Sequence, residues 1–220
     1  MTNRTFAIGD IHGCFDSLKE LIENIIQLQK NDKLIFLGDY IDRGSKSKEV
    51  IDYIIELQEK GYDLITLLGN HESMLVDAYN KDDFKSIWIQ NGGAETLKSF
   101  GVNSLKDMES KYLNFFNNLK LYFELDEYLF VHAGFNDEIE NPFTDKYSML
   151  WKSRERYLNS SLKDRTIIHG HSPISIKSCE EQIKNNSKVI NIDAGCVYSS
   201  KQLGKLVAFE INSRTIFFAE

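Results

Sequence analysis

Over the first eighty residues, short apolar runs closed by glycine alternate with longer stretches of helical period. "TFAI" (5–8) is short, largely apolar and closed by Gly9, which reads as a buried strand. A helix follows, with Leu18, Leu21, Ile22, Ile25 and Ile26 at helical spacing. Asp16 or Ser17 can cap it, and Ser17 with Glu20 fits a capping box. "KLIFL" (33–37) is the next strand and "SKEVIDYIIELQEKG" (47–61) the next helix, with Gly61 placed to end it. "DLITLL" (63–68) is a third strand and "HESMLVDAY" (71–79) begins a third helix. Three strand–helix repeats predict an α/β fold with crossover connections.

The stretch from about 80 to 120 breaks this rhythm. "FKSIWIQNGGAETLKSFG" and "SLKDMESKYLNFFNNL" have helical patterns, interrupted at Gly92–Gly93 and Gly101. From Leu121 strands return: "LYFELD", "YLFVHAG", "TIIHGH", "KVINIDAG", "KLVAFEI" and "TIFFAE". Several are joined by short polar turns, so an antiparallel or mixed arrangement is expected. With two prolines and no low-complexity linker, no internal boundary is visible. The expectation is one domain over 1–220: two sheets packed as a sandwich, helices outside, and a helical insertion at one rim.

Composition narrows the partners. A hydrophobic content of 42% and a charged content of 27% suit a soluble globular chain. The net charge of −7 argues against a broad grip on nucleic acid. It leaves anionic substrates open, because bound cations can reverse the local sign. Cys14, Cys179 and Cys196 form no CxxC pair, so free thiols in a reducing compartment are expected. No basic segment leads into a long apolar stretch, and no run approaches the roughly 18 apolar residues of a membrane span. A cytoplasmic protein with neither a membrane nor a nucleic-acid partner is expected.

The candidate chemistry sits at strand ends. Three runs close on a glycine and then an oxygen-bearing side chain: Gly9–Asp10, Gly38–Asp39 and Gly69–Asn70. Two later runs close on histidine: His132, and His169 with His171. In open α/β sheets, sites form at the carboxyl ends of strands. If the strands align, Asp10, His12, Asp39, Asn70, His132 and one histidine of the last pair converge. Mixed oxygen and nitrogen donors suit Mn, Fe or Zn better than Ca. Six groups exceed what one catalytic ion can use, and suit two ions sharing a carboxylate, for which Asp39 is placed. Within "GDYIDRG" (38–44) Asp42 is then free for another task. It can support a protonated His71 and fix its tautomer. Arg43 offers a fork for phosphate oxygens.

"GDIHG" (9–13), "GDYIDRG" (38–44), "GNHE" (69–72), "HAG" (132–134) and "HGH" (169–171), in that order, resemble the phosphoprotein phosphatase family of metallophosphoesterases. In size and layout the chain most resembles the small bacterial and bacteriophage lambda type of serine/threonine phosphatase, and "INIDAGCVY" (190–198) extends the likeness. The resemblance implies Asp10, His12 and Asp39 on one divalent ion, and Asp39, Asn70, His132 and His171 on the other, with manganese favoured. It implies His71 as general acid paired with Asp42, and Arg43 as phosphate ligand. A second phosphate-binding arginine is expected near "WKSRERY"; Arg154 is assigned, with Arg156 as the alternative. "IWIQNGGAETL" resembles bacterial members too, as part of the helical rim rather than of the metal site.

The implied activity is hydrolysis of phosphoserine and phosphothreonine in proteins or peptides, with small phosphoesters turned over in vitro. Water activated between the two ions would attack phosphorus directly. The alternative is hydrolysis of a dinucleoside polyphosphate such as diadenosine tetraphosphate. The resemblance favours the phosphatase at one point, since the position matching Asp42 is typically not acidic in that other class. A non-enzymatic phosphate-binding role is disfavoured because every expected ligand is present. His169 reads as a hydrogen-bonded neighbour, and Trp88, Phe115 and Phe116 as packing. Cys14 and Cys196 lack a base partner for nucleophilic chemistry.

Overall fold

The computed structural model describes residues 3–220. Its nine strands are β1 (Thr5–Ile8), β2 (Lys33–Phe36), β3 (Asp63–Thr66), β4 (Tyr122–Leu125), β5 (Tyr128–Val131), β6 (Thr166–His169), β7 (Val189–Asn191), β8 (Leu206–Glu210) and β9 (Thr215–Ala219). They form two sheets, in the orders β3-β2-β1-β8-β9 and β4-β5-β6-β7. In the first, β1, β2 and β3 are parallel, with Ile8 opposite Phe36 and Phe36 opposite Thr66. β8 adds antiparallel to β1, and β9 antiparallel to β8. In the second, β5, β6 and β7 are parallel and β4 is antiparallel to β5. Both sheets are therefore mixed.

Period-two alternation sorts each strand's side chains between two layers. Ala7, Ile35, Val207 and Phe209 face Phe130, Ile168 and Ile190 across the space between the sheets. Phe6, Ile8, Leu34 and Phe36 face the other way, onto Leu18, Val50, Ile54 and Leu75 of the helices. On the far side of the second sheet, Leu129, Val131 and Ile167 pack under Phe135, Met149 and Leu162. Burial of each of the larger aliphatic and aromatic side chains stabilises by about 1.5–3 kcal/mol before ordering costs. The strands are thus clamped from both faces, and their carboxyl ends are held in fixed register.

Helix α1 (Phe15–Lys19) starts earlier than the capping box predicts and runs on as a π-helical segment, Glu20–Ile25. Ser17 lies inside it, and its hydroxyl donates to the Glu220 carbonyl at 2.9 Å instead of capping. The helix can start early because Gly13 turns with φ 65°, leaving Cys14 as the residue before the first turn. Helix α2 (Ser47–Glu59) is as expected, and α3 (Asn70–Asn80) begins one residue before the predicted start. The rim contains α4 (Lys85–Trp88), a π-helical turn at Ile89–Gly93, α5 (Ala94–Phe100) and α6 (Ser110–Asn117). Gly92 makes the break at φ 109°. Two helices were not anticipated: α7 (Lys146–Trp151), capped by Asp145, and α8 (Ile176–Lys184), capped by Ser175. Both are short, so hydrophobic period gives little warning of them; their caps were the readable signal.

Candidate dinuclear metal site

The fold brings the strand-end residues to one place. Asp10 and His12 follow β1, Asp39 follows β2, and Asn70 and His71 open α3 just after β3. His132 follows β5 and His171 follows β6, so the second sheet delivers its histidines to the same edge. All of these are buried except His171, which is partly exposed. The backbone is bent unusually here. Among the described residues nine non-glycines have positive φ, and His12, Asp39, Asp42, Arg43 and His171 are five of them. Such conformations cost energy and persist where surrounding packing enforces them.

Asp39 is the centre of the arrangement. Its Oδ2 lies 3.5 Å from His12 Nε2 and 3.5 Å from His132 Nε2. Its Oδ1 accepts the His71 backbone N–H at 3.1 Å, which fixes the carboxylate's orientation. Two groups of donor atoms share it: His12, Asp39 and His71 on one side, Asp39, His132 and His171 on the other. Burial pushes the Asp39 carboxyl up, but His132, His71 and His12 together bring it below the usual carboxylate range.

The donor atoms converge as lone pairs, which is the fit expected of a cation site. His132 Nδ1 donates to the Leu37 carbonyl at 3.1 Å, leaving Nε2 as an acceptor. Yet Nε2 sits 2.8 Å from Asn70 Oδ1, another acceptor, and 3.1 Å from His171 Nδ1. His171 Nδ1 in turn is 2.9 Å from the same amide oxygen. Burial holds His132 below its ordinary value and His171 down at about 4, so protons are poorly suited to fill this cluster. A divalent cation suits it well. On the other side His12 Nδ1 is tied to the Ile41 carbonyl at 2.8 Å, so Nε2 is again the free lone pair. Arg43 places a guanidinium nitrogen 2.8 Å from it, a positive charge where a cation is called for. Burial lowers His12 to about 3.

Asp10 is placed differently from the other expected ligands. It stands outside both donor groups, and its carboxylate accepts the His171 backbone N–H at 3.0 and 3.2 Å. Burial, then Asp193 and Asp39, push it well above the usual range. That accumulation of negative charge is a second reason for a cation here. Gly170 lets the carboxylate approach, since a Cβ there would collide with Asp10 Oδ1.

Asp42 stands outside both donor groups and engages the far nitrogen of His71. Asp42 Oδ2 lies 2.7 Å from His71 Nδ1, with both side chains buried. The rim holds this carboxylate, contrary to the expectation that the rim stands apart from the chemistry. Trp88 Nε1 donates to both oxygens at 3.0 and 3.2 Å, and Thr96 Oγ1 donates to Oδ1 at 2.7 Å. Thr96 Oγ1 also receives the Asp42 backbone N–H at 2.9 Å. Trp88 is therefore more than packing. Burial works against a charged His71, but Asp39 and then Asp42 outweigh it and raise its pKa.

Arg154 is not drawn into the cluster. It pairs with Glu138 at 2.7 Å, on the loop after α7. His169 is buried, with Nδ1 3.0 Å from the Gly170 carbonyl. The sequence reading missed Glu72 although it ends the quoted "GNHE". Its carboxylate accepts the backbone N–H groups of Asp39, Tyr40, Ile41 and Gly69 at 2.8–3.3 Å. It thereby ties the β2 turn to the start of α3, and burial followed by Asp39 pushes it up to about 8. Asp193, in the quoted "INIDAG", is a second buried carboxylate, pushed up to about 7 by burial. It accepts the Gly195 N–H at 2.8 Å.

A family model for calcineurin-like phosphoesterases matches residues 4–205. The chain belongs to that family. Its two mixed sheets with flanking helices are the metallophosphoesterase fold, and it is an enzyme of the metallophosphoesterase class of hydrolases, which implies divalent metals. Among curated proteins it is 25% identical to the asymmetrical bis(5'-nucleosyl)-tetraphosphatase PrpE of Bacillus subtilis (strain 168), over 90% of this chain and 88% of that protein. It is 33% identical to the symmetrical bis(5'-nucleosyl)-tetraphosphatase of Buchnera aphidicola subsp. Baizongia pistaciae, over 59% of this chain and 43% of that one. A protein serine/threonine phosphatase structure from Saccharomyces cerevisiae shares the fold at TM-score 0.64 and 18% identity, covering 99% of this chain and 80% of that one. The metallophosphoesterase level of the sequence reading stands. The narrower likeness to lambda-type phosphatases is not confirmed: relatives matching along most of the chain include asymmetrical tetraphosphatases. Among the described residues no helix is long and apolar enough to cross a membrane.

Proposed function

We propose that this chain hydrolyses dinucleoside polyphosphates of the diadenosine tetraphosphate kind, acting as one catalytic unit over 1–220. The supporting observation is the similarity, along nine-tenths of the chain, to an asymmetrical bis(5'-nucleosyl)-tetraphosphatase. In this proposal Asp10, His12 and Asp39 hold one divalent ion, and Asp39, Asn70, His132 and His171 hold the other, with Mn²⁺ as the favoured metal. Two bound divalent cations supply Lewis acidity and a water of lowered pKa. The chain's own groups do the rest. Arg43, beside His12, binds oxygens of the phosphoryl group being cleaved. His71, held by Asp42, keeps a proton at the ring nitrogen not bonded to the carboxylate and gives it to the leaving oxygen. Glu72 holds the turn that carries Asp39 and Asp42.

One observation favours a second activity, hydrolysis of phosphomonoesters such as phosphoserine and phosphothreonine. The buried Asp42–His71 pair is built to protonate a poor leaving group, and a serine alkoxide needs that proton more than a nucleotide phosphate does. A substrate panel with manganese decides the order. Diadenosine tetraphosphate should exceed phosphoserine and phosphothreonine peptides in kcat/KM, with p-nitrophenyl phosphate turned over slowly. Efficient turnover of phosphopeptides with an inert dinucleotide would reverse the assignment.

A further inference from the structure

Beside the candidate metal site lies a second concavity of about 550 Å³. Its walls are the loop carrying Ser153, Arg154 and the acidic Glu155, the end of β6 at His169, and α8 at Gln182, with Val189 and Asn191 of β7 on the sheet side. That volume falls within the roughly 300–1,000 Å³ of small-molecule sites. The lining is mixed in the way such sites are. Ile174 and Val189 give apolar surface, and Ser153, His169, Gln182 and Asn191 give hydrogen-bonding groups. Nothing in the metal-site chemistry uses this space.

The cavity is joined to the metal site by one short segment. His169 borders the cavity and His171 belongs to the metal cluster, with only Gly170 between them. Ser172 closes the junction: its Oγ is 3.3 Å from Ser153 Oγ, and its carbonyl accepts Asn191 Nδ2 at 2.7 Å. His169 is only 4% exposed, and its Nδ1 is occupied by the Gly170 carbonyl at 3.0 Å. Its Nε2 has no protein partner among the described residues and is left as an acceptor. Gln182 Oε1 is used by the Asn191 N–H at 2.7 Å, which leaves its NH₂ group as a donor at the cavity wall. An acceptor and a donor set over an apolar surface suit the edge and face of a nucleobase. Arg154 stands at the rim, where it pairs with Glu138, rather than over the metal ligands.

We infer that this cavity is a nucleoside subsite. It takes one nucleoside of a dinucleoside polyphosphate, with Arg154 exchanging Glu138 for the phosphate chain that runs from the cavity past Ser172 to the metal site. This rests on the proposed substrate class. It also assigns Arg154 a place along the polyphosphate chain rather than on the phosphoryl group being cleaved.

The test uses the manganese-loaded protein with two variants. Ser187→Trp fills the cavity from its partly exposed rim. Gln182→Glu keeps the acceptor for Asn191 and removes the amide donor. Steady-state kinetics with diadenosine tetraphosphate and with p-nitrophenyl phosphate are combined with equilibrium dialysis of adenosine, which carries no phosphate. In both variants KM for the dinucleotide should rise about tenfold or more relative to any change for p-nitrophenyl phosphate. Adenosine should bind the unaltered protein saturably and bind Ser187→Trp at least about tenfold more weakly. Adenosine binding of this kind without dinucleotide cleavage would support the cavity while removing the proposed substrate. Dinucleotide cleavage with unchanged KM in both variants would overturn the cavity and leave the proposed function standing. Absence of both adenosine binding and dinucleotide cleavage would overturn both.

Discussion

Asp42 Oδ2 and His71 Nδ1 lie 2.7 Å apart with both side chains out of solvent, and Asp42 itself belongs to neither candidate donor group. Asp39, only three residues earlier, has its Oδ2 between His12 and His132. The two acids of "GDYIDRG" therefore serve different neighbours. Asp42→Asn should lower turnover about 10²–10⁴-fold while both metals stay bound. Combined with His71→Asn it should cost little more than either alone, because the pair acts as one unit. Elemental analysis beside kinetics is the check, and an Asp42→Asn protein that has lost an ion would contradict the separation of roles.

The pair also sets a pH dependence. His71 is raised above its ordinary 6.5, because Asp39 and Asp42 outweigh burial. A raised folded value means the proton persists above that ordinary value and is lost as pH rises through the raised one. In the metal-free protein the charged ring should thus persist above the usual histidine range. The stabilising contribution of the charged ring has the same sign: present below 6.5, lost on the alkaline side. Asp42→Asn should lower the His71 titration in the metal-free protein, measurable by NMR of the ring protons between acid and alkaline buffers.

Trp88 links the rim to the chemistry. Trp88→Phe keeps most of the buried volume but removes the N–H that serves both Asp42 oxygens. The carboxylate keeps Thr96, so the loss should be partial: about 1–3 kcal/mol in urea unfolding, together with a fall in kcat. An unchanged kcat beside reduced stability would show that the indole acts only on folding.

Metal content should distinguish shared from single ligands. Chelation should abolish turnover and Mn²⁺ should restore it. Asp39→Asn should lower bound metal more than Asn70→Ala, since Asp39 Oδ2 stands between two histidines while Asn70 faces only His132 and His171. Equal metal loss in the two variants, read by elemental analysis, would argue against a shared Asp39.

Several of these features were open to inspection in the sequence. The apolar runs ending at Gly9, Gly38 and Gly69 marked three parallel strands, and Asp10, Asp39 and Asn70 follow them directly. Local pattern was enough there, because strand period and strand end are both local properties. His132 was legible for the same reason; the strand pattern left His169 and His171 open, and only the family resemblance singled out His171. The two helices α7 and α8 were too short for their period to register.

What only the tertiary structure decided concerns distance along the chain. Trp88 and Thr96 are 46 and 54 residues from Asp42, and no local pattern ties them to it. Glu72 gathers backbone donors from a turn some thirty residues earlier. The positive φ values at His12, Asp39, Asp42, Arg43 and His171 could not be read from the residue types: Asp and His tolerate that region better than most, yet occupy it in a small minority of cases. Packing of the two sheets against the helices enforces them. The sequence by itself determined which groups stand at the strand ends; the folded core determined which way each one turns, and that Arg154 faces Glu138 instead of the metal ligands.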